Sequence, residues 1–384
     1  MKVALSTIGK FHTFDLAREL HAQDVLAAVY SGYPQYKLKD EGLPRALIHT
    51  RPWIHGAYMA YPWKHKTTPR ILRNWELLAA RDFGRFVAGN LMECDVYMGL
   101  SGSTLLAGKE AQRRGARYVC DRGSTHIRFQ DQILREEYAK WGLQSEEVDP
   151  RTIAIEEAEY AQADLITVPS NFVKRTFMDQ GVPEEKLRVL PYGVNLSRFS
   201  PVGEPVVGRF DILFVGGMGL RKGVQYLVQA YNKLSHPAKS LTFVGAPSPL
   251  VIDLLKTRGL WPQDAQVLGH VPQTELKHLM SKSHVLVLPS IEEGLALVQA
   301  QAMACGCPVI ATPNTGSENL FTDGEEGFIV KASDVVALHD KLALMASDTA
   351  LQDAMRQKTL LKIKDIGGWS QYGKDALTAL TKII

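Results

Sequence analysis

An α/β fold of two doubly wound, Rossmann-like parallel domains facing a central cleft follows from three features of the 384-residue chain. Short β-rich runs alternate with longer helical patterns from end to end, the order that builds parallel sheets with helices on both faces. Several of those runs are apolar almost throughout, as strands covered on both faces must be. The alternation breaks at PYGVNLSRFSPVGEPVVGRF, residues 191–210, which is rich in Pro, Gly and Ser and reads as a linker. Twelve strands divided there make two ordinary sheets.

The first half supplies KVALS, VLAAVYS, DVYMGLS, ARYVCD, DLITVPS and LRVLPYG as strands, with DLARELHA as an amphipathic helix between them. The second half supplies FDILFVGG, LTFVGA, AQVLGHV, HVLVLPS, PVIAT and GFIV, with GVQYLVQAYNKL and TELKHLMSK as helices. The expected units are a first domain over 1–195, a second over 196–365, and a final helix over 366–384 that crosses back to the first. From about residue 37 to 85 no clean strand is visible. There Trp53, Tyr58, Tyr61, Trp63 and Trp75 interleave with Arg51, Lys64, Lys66, Arg70 and Arg73. Either this insertion packs its aromatics on the first domain, or it forms an interfacial patch for anionic lipid or a lipid-linked acceptor.

Composition narrows the function classes. With 45% hydrophobic and 22% charged residues, the chain has the make-up of an ordinary globular protein. A formal net charge of +3 is too small to argue for nucleic acid. Cys94, Cys120, Cys305 and Cys307 are few and lie in apolar or small-residue runs, which suits a reducing compartment. The pair Cys305 and Cys307 lacks the second ligand pair that a zinc site needs. The first residues read as a strand, without a signal-peptide h-region. No run approaches the ~18 apolar residues of a spanning helix. A cytoplasmic protein is expected, with peripheral contact at the inner face of the membrane left open.

Ligands of open α/β sheets bind beyond the carboxyl ends of the strands. After FDILFVGG comes MGLRKG, which sets Arg221 and Lys222 before a helix. Gly216, Gly217 and Gly219 allow close backbone approach there. Two cations at a helix N-terminus conflict with its dipole, and a bound anion removes the conflict; the alternative is a solvated charged turn. Neither a dinucleotide fingerprint nor a Walker A pattern is present.

After HVLVLPS comes IEEGLAL. Glu292 reads as a first-turn acid satisfying the helix dipole. Glu293 stands just before Gly294, Leu295, Ala296 and Leu297, whose amides at a helix mouth suit phosphate. A carboxylate beside such a site is better aimed at the hydroxyl donors of a sugar.

These residues carry a resemblance. FVGGMGLRKGVQYL and HVLVLPSIEEGLALVQAQAMACGCPVIATPNTGSENLFTDGEEGFIV look like the C-terminal half of retaining glycosyltransferase family 4, also called glycosyltransferase group 1, whose architecture is GT-B. ADLITVPSNFVKRTFMDQGVPEEKLRVLPYGVNLSRFSP is similar to the family's approach to its linker. The match covers about 153–330 strongly and the first 150 residues only in general form. It implies two glutamates separated by seven residues: Glu293 matches the first, against the sugar hydroxyls, and Gln301 falls at the second, which usually binds the ribose. Losing that charge should cost on the order of 1 kcal/mol. Lys222 matches the phosphate-binding lysine. Gly217 stands where the family often has arginine, and Arg221 is the substitute.

In the first domain the resemblance places the loop of Gly9 and Lys10 near the donor phosphates, with Gly9 a donor contact and Lys10 a candidate on the acceptor side. Asp121, Arg122, Gly123 and His126 follow a strand and are expected to face the cleft, on the acceptor side, with His126 a candidate catalytic group. The implied activity is metal-independent, cofactor-free, retaining transfer of a sugar from a nucleotide-diphosphate sugar to a hydroxyl of a glycan, glycolipid or lipid-linked acceptor, as in cell-surface polysaccharide synthesis. Two alternatives remain at this stage: a weakly catalytic, nucleotide-sugar-binding partner subunit of another transferase, which Gln301 would suit, and a sugar epimerase of related build.

Overall fold

The computed structural model describes residues 1–144, 148–195 and 198–384, apart from the side chain of His65. The expected boundary at 195/196 and two linker residues, 196 and 197, therefore touch or lie outside the described residues. The first sheet contains β1 (Val3–Thr7), β2 (Leu26–Ser31), β3 (Ile48–Thr50), β4 (Val96–Leu100), β5 (Arg117–Asp121), β6 (Leu165–Val168) and β7 (Leu187–Val189). Its order is β3-β2-β1-β4-β5-β6-β7, parallel throughout. The second sheet contains β8 (Phe210–Val215), β9 (Lys239–Val244), β10 (Gln266–Gly269), β11 (Val285–Leu288), β12 (Val309–Ala311) and β13 (Gly327–Ile329). Its order is β10-β9-β8-β11-β12-β13, also parallel.

Alternation along the strands divides the core between the two faces of the first sheet. Val3, Leu5, Val96, Met98 and Val119 enter one apolar cluster, whereas Ala4, Tyr97, Tyr118 and Cys120 enter the other. In the second domain β11 is buried along its whole length, as a central strand under helices on both faces must be.

One expectation about the insertion fails. β3 lies inside it, pairing Ile48 with Val29 at the sheet edge. Three residues are too few to show a period of two, so the strand left no pattern. The insertion also contains the helix Trp53–Ala60 and the 21-residue helix Pro69–Gly89. The longer one has proline in its first turn, where no amide is needed, and buries Leu77, Phe83 and Val87.

The linker is packed. Tyr192, Val194 and Phe199 are buried, and a Cβ at Gly193 would lie 2.5 Å from the Trp369 nitrogen. The last helix, Trp369–Thr381, lies against the helix Thr13–Ala22, where a Cβ at Gly373 would meet that of Glu19 at 2.4 Å. The chain thus ends on the domain in which it began.

Candidate functional site

Each sheet has one point where the strand order reverses, and such a point opens a crevice at the carboxyl ends of its two strands. In the second sheet it falls between β8 and β11. The loop after β8 carries Arg221 and Lys222, and the loop after β11 carries Glu292, Glu293 and Gly294. Residues about 70 apart in sequence are therefore brought together by topology alone.

Backbone geometry fixes the first of these loops. Leu220–Lys222 form one 3-10 turn that ends on Gly223 in the left-handed region, φ 73°. A Cβ on Gly223 would sit 1.9 Å from the Pro289 carbonyl oxygen, so only glycine lets the two loops touch. The Ile291 amide then donates to the Arg221 carbonyl at 2.8 Å. Gly217 has open space around it.

Lys222 Nζ forms an ion pair with the Glu293 carboxylate, to which Ser290 Oγ also donates at 3.3 Å. Burial, helped by the adjacent Arg221 guanidinium and opposed by Glu292, pushes the Lys222 ammonium down to about 8. A phosphate and a sugar can replace this ion pair as a set, the phosphate taking the ammonium and the hydroxyls taking the carboxylate.

Glu292 departs from the sequence expectation. The next helix begins only at Leu297, so Glu292 is no first-turn acid. It is fully buried and accepts from Arg221 Nε at 2.7 Å, Ser124 Oγ at 2.6 Å, Thr125 Oγ1 at 2.7 Å and Gln130 Nε2 at 3.1 Å. Three of these donors belong to the first domain. Burial alone would raise this carboxyl, but Arg221 and the three donors outweigh it and hold it below the ordinary carboxylate value. Arg221 uses only its Nε for Glu292, which leaves its terminal nitrogens for an anion.

Beside this clamp the domains meet closely. A Cβ on Gly294 would lie 2.0 Å from the Gly123 carbonyl oxygen of the first domain, and Ser170 Oγ donates to the Gly294 carbonyl at 2.7 Å. The helix mouth is less open than expected, because the Ala296 amide donates to the Thr315 carbonyl at 3.0 Å. Among the described residues, the amides of Gly294, Leu295 and Leu297 have no protein acceptor. Gln301 lines a cavity of about 240 Å³ with Leu297, Gln273, Arg198, Asp15 and Trp369.

The first-domain candidates are distributed differently from the expectation. Lys10 turns to an ion pair with Glu41, and the Gly9 carbonyl accepts from Ser31 Oγ at 2.8 Å. Arg122 is buried and committed to Glu156 at 2.6 Å, the Thr125 carbonyl, Ser101 and Gln130. His126 does not face the cleft. Its ring packs between Tyr160 and Phe177, with centroids 5.1 and 4.9 Å away, and its Nδ1 accepts from the Arg128 amide at 3.3 Å.

Burial pushes His126 down to about 4, so it is a neutral core group at neutral pH. Its stabilising effect is present above the ordinary histidine value of about 6.5 and is lost as pH falls towards 4. His126→Ala should lower unfolding free energy by about 2 kcal/mol through the cavity it leaves. It should also flatten that acid slope, both read by denaturant titration at several pH values, with turnover close to the parent's.

Asp121 instead holds His12, whose Nε2 lies 2.6 Å from its carboxylate, while Thr167 Oγ1 donates to the other oxygen at 2.7 Å. The His12 ring packs on Tyr192 with centroids 4.2 Å apart, tilted by 33°. Among the described residues the Tyr192 hydroxyl is buried without a hydrogen-bond partner, and it lies beside Gly123. His12 follows β1 within a stretch already singled out for Gly9 and Lys10, and a histidine beyond a strand's carboxyl end was the available signal. Glu292 gave no comparable signal, since its first-domain partners lie more than 160 residues away. Cys305 and Cys307 are both buried, and among the described residues no cluster of His, Cys, Asp and Glu could hold a metal ion.

Residues 199–361 match the family model described as Glycosyl transferases group 1, and residues 10–198 match that described as Glycosyltransferase Family 4. A D-inositol 3-phosphate glycosyltransferase of Arthrobacter sp. (strain FB24) is 30% identical over 198 residues, 48% of this chain and 47% of that protein. The matched stretch thus spans about half the length of that relative. A sucrose-phosphate synthase from Thermosynechococcus elongatus superimposes with a TM-score of 0.73 at 20% identity, over 100% of this chain and 99% of that one. Anabaena Alr3699/HepE, solved in complex with UDP, gives 0.70 at 16% identity over 100% of both chains.

Proposed function

This chain belongs to the group 1 glycosyl transferases and has the GT-B build, and from that premise we propose that it moves a sugar from a nucleotide-diphosphate sugar to an acceptor hydroxyl with retention of configuration. The observation that carries the reading is the meeting of Lys222, Arg221 and Glu293 at the reversal point of the second sheet, with Gly294 pressed against Gly123 of the first domain.

In this reading the diphosphate lies on Lys222 and the terminal nitrogens of Arg221, with the amides of Leu295 and Leu297 nearby. These fixed donors stabilise the charge that grows as the diphosphate leaves. Glu293 accepts from the sugar hydroxyls and orients the ring. The acceptor enters from the first domain, where His12 stands beside Gly123. The departing phosphate takes the acceptor proton on the same face of the sugar. Two protein cations already meet the diphosphate charge and the sequence has no D-x-D pair, so transfer is metal-independent. The UDP held by HepE supports uridine as the first donor base to test.

Calorimetric titration with uridine, guanosine and adenosine diphosphate sugars, in the presence of a chelator, tests this. One donor should bind, and its affinity should fall as pH rises through about 8, where Lys222 gives up its proton. Lys222→Arg should remove that pH dependence. NMR of the transferred sugar should show the donor's anomeric configuration. Binding by none of the three donors would overturn the reading.

A further inference from the structure

The helix Trp53–Ala60 has the sequence WIHGAYMA and buries none of its eight residues. Six of them are apolar, and although Tyr58 packs on Trp75 of the helix Pro69–Gly89, the helix leaves more apolar surface exposed than its composition calls for. Trp53 is 70% exposed and Met59 52%; Tyr36 and Trp63 on neighbouring segments are 70% and 55% exposed. The rings of Tyr58 and Tyr61 pack on Trp75 at 5.8 and 5.4 Å, which ties the helix to the longer one that follows it. Along the shorter helix runs an apolar groove of about 430 Å³ lined by Gly32, Tyr33, Tyr36, Trp53, Ala57 and Ala60. Gly32 packs on the Ile8 carbonyl, where an added Cβ would come to 2.5 Å. Through Gly32 the groove lining thus touches the loop after β1.

Charge accompanies the apolar face. Residues 36–73 contain eight Lys and Arg and only two Asp and Glu, in a chain whose net charge is +3. Arg51 is paired with Asp82, and Lys64 lies over the Tyr58 ring at 3.8 Å. Among the described residues, no ion pair ties Lys37, Lys39, Arg45, Lys66, Arg70 or Arg73. No helix of the described residues is long and apolar enough to cross a membrane.

We propose that this face docks on an anionic phospholipid bilayer, with Trp53, Met59 and Tyr36 at the headgroup boundary and the unpaired cations on lipid phosphates. Apolar and aromatic groups supply insertion and the surrounding cations supply attraction to the charged surface. On the transferase reading above, docking here brings the first domain, the acceptor side, to the lipid surface, which makes the acceptor a lipid-anchored one. Vesicle binding itself requires no turnover.

Sedimentation of the full chain with sucrose-loaded vesicles tests the proposal. The protein should bind vesicles of phosphatidylcholine mixed with phosphatidylglycerol, bind phosphatidylcholine alone far more weakly, and lose binding as salt screens the charges. The double variant Trp53→Ser/Met59→Ser should bind the mixed vesicles about tenfold less, with melting temperature and nucleotide-sugar affinity unchanged. Lys66→Glu/Arg70→Glu should lose the preference for anionic lipid. No binding to the mixed vesicles, or equal binding by the serine variant, overturns the proposal. So does a parent that dimerises through this face and ignores vesicles. Nucleotide-sugar affinity is read separately, so loss of the transferase reading would be seen apart from loss of this one.

Discussion

Lys222→Met should lower turnover by about 10²–10³-fold, the largest catalytic effect expected of any single change in this chain. Methionine keeps the stem that packs beside Gly216, where the Lys222 Cε lies 3.8 Å from the position of a Gly216 Cβ, so the charge is removed with little change in shape. Two consequences separate a phosphate role from a merely structural one. Donor affinity should fall together with turnover, because the lysine meets charge that is present before reaction and grows during it. The variant should also lose the decline in affinity above pH 8 that burial of the ammonium imposes on the parent. Glu293 is left without its cation in this variant, so the melting temperature must be read as well. A Lys222→Met protein that binds donor like the parent would remove the phosphate from this turn.

Much of the second domain can be read directly from its sequence, because the chemistry-bearing residues stand in two short unbroken stretches. Residues 216–223 and 289–301 each follow a strand, and the parallel order of β8 and β11 makes their loops neighbours. The first domain is less legible because its polar groups are assigned by contacts made far along the chain. Asp121 could be seen to follow a strand, but that it holds His12, 109 residues away, could not. Arg122 and His126 look free in the sequence and are consumed by Glu156 and by the Tyr160–Phe177 pocket. In the insertion, the mixture of aromatic and basic residues hides β3, whose three residues are shorter than any usable period. The helix Trp53–Ala60 was obscured for another reason: apolar all round, it has no alternation between a buried and a solvated side.

Glu292 marks the limit of sequence reading most sharply, and it leads to the second large effect. Glu292→Ala should destabilise the folded chain by about 3 kcal/mol, at the low end for breaking a buried ion pair, because Arg221 is partly exposed. The cost falls at the junction of the domains, where Ser124, Thr125 and Gln130 lose a charged acceptor held by the opposite domain. The domains should therefore separate before either unfolds, visible as a larger radius of gyration in small-angle scattering. Glu292→Gln keeps the size and one acceptor oxygen and should show a smaller expansion. The parent should resemble the variant in acid. Its carboxyl lies below the ordinary value in the folded state, so the clamp is intact above that value and is lost as pH falls through the folded one. Kinetics should report opening as a rise of KM for donor and acceptor together, since closure builds the site from both domains. Should Glu292→Ala keep the parent's scattering and melting temperature, closure would rest on other contacts. Glu137 is the next candidate: buried, it accepts from Gln225 Nε2 at 2.7 Å and Tyr226 Oη at 2.8 Å across the same junction.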